Sequence, residues 1–139
     1  MSLNITCFLI DDDVDDQDIF VLALEDVDPS IKCHVASDGI EALLQLGDGR
    51  NFRPDYIFLD LNMPRMNGNE VLAEIKKHPS WKRIPVVVMT SSRDEEDYLK
   101  AYDQHVNCCV TKPIDMDKFI EVVRSIEDFW FTVVRLPAA

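Results

Sequence analysis

Short apolar runs alternate along this chain with longer stretches in which apolar residues recur at helical spacing. An apolar run of four to seven residues between turn residues marks a strand buried on both faces, and the amphipathic stretch after it marks the crossover helix to a parallel neighbour. Five strand-then-helix units are predicted. The strands are expected at 5–10, 32–36, 55–59, 84–89 and 107–110, and the helices at 16–27, 39–46, 68–77, 93–104 and 116–131. Asp38, Asn67 and Ser92 each precede a glutamate by three residues (Glu41, Glu70, Glu95), the spacing of a reciprocal helix cap. Asp28-Pro29, Gly47-Asp48-Gly49 and His78-Pro79 close the first three helices. The expected fold is α/β, a five-stranded parallel sheet, doubly wound, with helices on both faces.

With 139 residues the chain has the length of one ordinary domain and can bury a core without metal or disulfide staples. A single domain over 1–139 is expected, with its core at about 5–126 and an apolar tail at 127–139. Acidic residues exceed basic ones by 26 to 14, a net charge of -12, and no Lys/Arg run offers a footprint for phosphate backbones. Nucleic acid and anionic membrane are therefore not expected as partners. Cys7, Cys33, Cys108 and Cys109 lie in or beside predicted strands, without the spacing of a zinc site or a disulfide scaffold. Reduced thiols, the lack of an apolar run near the roughly 18 residues that span a bilayer, and the lack of a signal segment point to a soluble, cytoplasmic protein.

The chemistry gathers where strands end. Tyr56-Ile57-Phe58-Leu59 delivers Asp60, Cys7-Phe8-Leu9-Ile10 runs into Asp11-Asp12-Asp13, the fourth run ends at Thr90, and Cys108-Cys109-Val110-Thr111 leads into Lys112-Pro113. In an open parallel sheet these ends share one edge, which is where such folds bind ligands. Carboxylates of Asp11, Asp12 and Asp60 a few ångströms apart repel by about 3 kcal/mol per pair at an effective dielectric of about 20, so a cation is expected among them. Oxygen donors without His or Cys suit Mg²⁺ or Mn²⁺. Lys112 adds an ammonium and Thr90 a hydroxyl. Nucleophilic carboxylate, divalent cation, ammonium and hydroxyl are the parts of phosphoryl transfer onto an aspartate, with Asp60 as acceptor.

Taken in order, Asp11-Asp12, Asp60, Thr90 and Lys112-Pro113 on a five-unit pattern resemble the receiver domain of two-component response regulators, from about residue 5 to 126. The resemblance implies a flavodoxin-like (βα)5 fold and phosphorylation of Asp60 by a sensor histidine kinase or by small donors such as acetyl phosphate. It implies that Asp12 and Asp60 hold Mg²⁺ through their side chains, Asp11 largely through a water, and Asn62 through its backbone carbonyl. Thr90 and Lys112 would contact the phosphoryl oxygens, and Pro113 would be cis. The acidic pair is Asp11-Asp12 if the strand ends at Ile10, and Asp12-Asp13 fits as well. Asp13, Asp15 and Asp16 are read as loop and helix-cap residues. Receivers usually carry Tyr or Phe three residues before the lysine, and this chain has Cys109 there. In receivers the residues two positions after the phosphorylated Asp and two after the Thr influence phosphoryl lifetime, and the resemblance puts Asn62 and Ser92 there. Such a domain is a phosphoacceptor and not an enzyme acting on a separate substrate.

Phe119, Val122, Val123, Ile126, Trp130 and Val133 form the expected core stripe of the last helix. Ile120, Phe129, Phe131, Val134 and Leu136 fall outside it, a surplus of apolar surface that suggests an interface. The tail resembles that of stand-alone receivers serving phytochrome-type histidine kinases, which makes such a kinase and a homodimer through the last helix and tail the expected partners. A receiver-like scaffold that is not phosphorylated is the alternative. A haloacid dehalogenase-like phosphatase needs a general acid two residues after the nucleophile, where Asn62 stands. A flavin-binding flavodoxin would meet repulsion between its cofactor phosphate and the acidic first loop.

Overall fold

Strands this apolar cannot face water on either side, and the structure buries both faces of the sheet. The computed structural model describes residues 5–47, 53–63, 66–90, 99, 101–103, 106, 108–112 and 115–129. Strands β1 (Thr6–Ile10), β2 (Lys32–Ala36), β3 (Tyr56–Asp60), β4 (Val86–Thr90) and β5 (Cys108–Thr111) pair in parallel in the order β2-β1-β3-β4-β5. The three central strands carry no exposed residue, whereas β2 and β5, at the edges, are partly open.

Side chains alternate across the sheet, and each set meets its own pair of helices. Phe8, Ile10, Ile57, Leu59, Val86 and Val88 pack with residues of α2 (Gly39–Leu46) and α3 (Gly68–Lys77). Cys7, Leu9, Tyr56, Phe58, Val87 and Met89 pack with α1 (Val14–Val27) and the C-terminal helix (Met116–Glu127). Phe20 of α1 tilts onto Phe58, ring centroids 4.8 Å apart. The expected doubly wound sheet is thus observed, with Ala101 and Val106 completing the α2–α3 side. No helix among the described residues is long and apolar enough to cross a membrane.

The predicted boundaries shift in one direction along the strands. β3 leaves out Asp55, whose carboxylate accepts from the Thr6 N–H at 2.9 Å, and takes in Asp60, in register with Met89. β4 starts after Pro85 because residues 78–84 turn: Lys82 N–H donates to the His78 carbonyl (2.9 Å) and Ile84 N–H to the Trp81 carbonyl (2.9 Å). Thr90 and Thr111 then pair at the other end. Helix α1 begins two residues earlier than expected because Asp13 caps it, accepting from the N–H groups of Asp15 and Asp16. Asp38 caps α2, and Asn67 with Glu70 forms the reciprocal box on α3, as the spacing predicts. Of the expected fourth helix, Leu99 and 101–103 are described and are helical. Ser92, Pro113 and residues 130–139 lie outside the described residues.

Gly68 opens α3 directly beneath the end of β3. A Cβ there would lie 2.5 Å from the Asp60 carbonyl oxygen and 2.5 Å from Leu61 Cα, both backbone atoms that cannot step aside. The N–H of Gly68 donates to the Leu61 carbonyl (3.0 Å), holding the loop closed over this contact. Gly68→Ala should therefore lower stability by about 2 kcal/mol in urea denaturation, since overpacking against fixed backbone costs on that order. Gly47→Ala, whose Cβ meets only helix carbonyls at 3.3 Å or more, should cost under about 0.5 kcal/mol. Equal midpoints for the two variants would contradict the close-approach argument.

Candidate functional site

The strand order reverses at β1, so the carboxyl ends of β1 and β3 lie side by side at the point where parallel sheets open a crevice. Asp11 follows β1 and is held through its backbone, its N–H donating to the Ala36 carbonyl (3.0 Å) and its own carbonyl accepting from the Gln17 amide (2.5 Å). Asp60 closes β3 and is buried. Asp12 stands between them on the exposed turn, and oxygens of Asp11, Asp12 and Asp60 lie within 4.8 Å of one another. Asp13 is not among them: its carboxylate caps α1. The structure therefore gathers the Asp11-Asp12 pair rather than Asp12-Asp13.

Lys112, immediately after β5, reaches into this cluster from the far side. Its ammonium donates to Asp11 at 2.6 Å and to Asp16 at 2.8 Å, and stands 3.6 Å from an Asp60 oxygen. Burial alone would push the Lys112 ammonium down. The carboxylates of Asp60, Asp11 and Asp16 outweigh that, so its proton is held more tightly than in water. Burial raises the Asp60 carboxyl to about 6, with Asp11 and Asp12 adding repulsion against the pull of Lys112 and the Asn62 N–H. Asp11 is raised as well, again chiefly by burial, opposed by Lys112 and by the Asp13 N–H.

Asn62 touches both sides of the site. Its backbone N–H donates to Asp60 Oδ1 (3.0 Å), and its side-chain amide donates to the Thr90 hydroxyl (2.8 Å). Thr90 is fully buried, and its carbonyl accepts from the Lys112 N–H at 2.7 Å, tying the ends of β4 and β5 together. All six expected site residues thus converge: Asp11, Asp12, Asp60, Asn62, Thr90 and Lys112. Three carboxylates with no sulfur or imidazole beside them form a donor set that fits a hard divalent cation such as Mg²⁺ or Mn²⁺. Asp16, which the sequence assigns to a cap or loop, is an added member. Its signal was present as an acid in the first turn of the helix after the Asp11-Asp12 loop, but spacing alone does not reveal a partner 96 residues away.

Cys109, standing where an aromatic residue was expected, is half-buried against the α2–α3 side of the core. Burial pushes its thiol up to about 11, against a hydrogen bond from the exposed Tyr102. Cys33 is pushed further, to about 12, chiefly by burial. Neither thiol is poised as a nucleophile.

Residues 7–124 match the response regulator receiver domain family. The response regulator Rcp1 of Synechocystis sp. is 48% identical over 109 residues, covering 76% of this chain and 74% of Rcp1. The crystal structure of a phosphorylated cyanobacterial phytochrome response regulator, RcpA, superposes with a TM-score of 0.94 at 39% identity, covering 97% of this chain and 99% of RcpA. The Mn²⁺-bound form of Rcp1 gives 0.91 at 38% identity, covering 96% and 99%. Family match, identity and superposition agree with the site built above, and the chain belongs to the response regulator receiver domain family.

Proposed function

We propose that this receiver accepts a phosphoryl group on Asp60 from a phosphohistidine of a sensor histidine kinase. The observation that carries the reading is the convergence of Asp11, Asp12 and Asp60 within 4.8 Å, with Lys112 3.6 Å from the buried Asp60 carboxylate. A carboxylate oxygen of Asp60 attacks phosphorus, the P–N bond breaks, and its electron pair stays on the imidazole, which takes up a proton. Asp12 and Asp60 side chains, the Asn62 carbonyl and, less directly, Asp11 would hold Mg²⁺ or Mn²⁺. Bound there, the cation neutralises charge on the transferring oxygens. Lys112 supplies its ammonium to one phosphoryl oxygen and Thr90 its hydroxyl to another. Asn62 keeps Thr90 turned toward the Asp60 loop through the 2.8 Å amide contact. All acceptor, hydroxyl and ammonium positions are filled and in reach, which favours a phosphorylated receiver over a passive scaffold.

The kinase is of the phytochrome class on this reading, by analogy with RcpA. The same reading places the protein in the cytoplasm, in keeping with its four free cysteines. Output runs through contact with protein. An apolar hollow of about 620 Å³ lies between β5 and the C-terminal helix, lined in part by Val110, Val122, Ile126 and the half-exposed Phe129. It supports a homodimer through this helix and the tail.

Incubation with Mg²⁺ and acetyl phosphate should add one phosphoryl mass, labile to hydroxylamine, blocked by EDTA and absent from Asp60→Ala. No adduct, even with a phosphorylated kinase as donor, would move the scaffold reading ahead. The raised Asp60 carboxyl sets a sign for stability without cation. The folded chain binds that proton more tightly than the unfolded chain, whose carboxyl stays near the ordinary 3.8. Stability should thus fall as pH rises from about 4 to about 6 and stay low above, a loss of roughly 3 kcal/mol. Asp60→Asn should raise metal-free stability at pH 7 by about 2 kcal/mol in urea and flatten the dependence; Mg²⁺ should stabilise wild type far more than the variant. A variant no more stable than wild type would show that the Lys112 pairing outweighs the burial of Asp60. Sedimentation equilibrium should detect a dimer that Phe129→Asp weakens at least tenfold, and a monomer at all concentrations would end the dimer proposal.

A further inference from the structure

Asp16 lies outside the carboxylate cluster, yet Lys112 donates to it at 2.8 Å, nearly as close as to Asp11. Asp16 is the third residue of α1, the position from which a carboxylate ordinarily turns back to the N–H of the capping residue. That N–H belongs to Asp13 and is already held by Asp11 Oδ1 at 2.9 Å. The Asp16 side chain therefore has no local cap to make and points instead at the ammonium.

An ammonium has three N–H groups. Asp11 and Asp16 take two of them, and the Asp60 oxygen sits at 3.6 Å, within ion-pair reach but beyond a hydrogen bond. Asp11 belongs to the cation cluster and must divide its charge once the cation arrives. Asp16 does not. We propose that Asp16 is a positioning residue that holds the Lys112 ammonium off Asp60, so that Asp60 stays open to the cation and the remaining N–H meets the oxygen added there. This inference rests on the reading of Asp60 as phosphoacceptor. Without Asp16, Lys112 closes on Asp60 and competes with the cation for the same carboxylate.

The test compares Asp16→Asn with Asp15→Asn. Both remove one charge from the first turn of α1, but the Asp15 side chain has no partner among the described residues, whereas Asp16 holds Lys112. Mg²⁺ affinity, read by calorimetry or amide chemical shifts, should weaken about fivefold more in D16N than in D15N, a difference set by the displaced ammonium and not by net charge. Phosphorylation by acetyl phosphate at saturating Mg²⁺ should slow several-fold in D16N and recover in Asp16→Glu, which restores the charge. Equal Mg²⁺ affinity in D16N and D15N would overturn the proposal, as would unchanged phosphorylation in D16N. Asp16→Ser, a residue at home in a first helical turn, repeats the comparison should D16N fail to fold. Wild type that binds Mg²⁺ but forms no acyl phosphate would remove the receiver chemistry, while the affinity comparison would still decide whether Asp16 restrains Lys112.

Discussion

One buried ammonium shared among carboxylates from different parts of the chain organises the active edge of this protein. Lys112 follows β5, Asp11 follows β1, Asp16 opens α1 and Asp60 closes β3, and each lies within 4 Å of the same nitrogen. The contacts span up to 101 residues of sequence, so the sheet must be assembled before the site exists. Breaking one partner of a buried pair is strongly destabilising because it strands the other charge. Here the carboxylates outnumber the ammonium, and the excess negative charge is what an incoming cation relieves.

Rigid strands deliver the reactive groups. Asp60 and Thr90 are the last paired residues of β3 and β4, not the first residues of loops, and both are buried. On the proposed reading, the groups that respond to phosphorylation are therefore anchored from behind by the sheet and connected in front by side-chain and backbone contacts. The Asn62 amide joins the Asp60 loop to Thr90, and the Lys112 N–H joins β5 to the Thr90 carbonyl. A shift of Thr90 toward an added phosphoryl group would be felt at both the Asp60 loop and the end of β5.

Much of this was legible from hydrophobic periodicity, because strands buried on both faces must be continuously apolar and crossover helices must be amphipathic. Lys32–Ala36, Gly39–Leu46 and Gly68–Lys77 match residue for residue. The misses at the carboxyl ends of the strands share a cause. Polar residues at strand ends, Asp60, Thr90 and Thr111, look like loop residues by composition, but ladder pairing to their neighbours continues through them. Asp13 and Asp16 are likewise ambiguous as letters in an acidic run. Which one caps the helix and which one turns inward depends on the Asp11 side chain having already satisfied the Asp13 N–H, a three-body arrangement that no spacing rule encodes.

The departure at Cys109 bears on how a phosphoryl signal would leave the site. A large ring at that position could couple strand β5 to Thr90 by packing, and a thiol is too small to supply that contact. In this chain the thiol is raised chiefly by burial, and Tyr102, in the neighbouring helical segment, only partly opposes that rise. Val88 pairs with Cys109 in the ladder, Thr90 with Thr111, and the Lys112 N–H closes the end. Movement at Thr90 would thus pass to Thr111 and Lys112 at the end of β5, and in this chain it meets a small thiol rather than a ring at position 109.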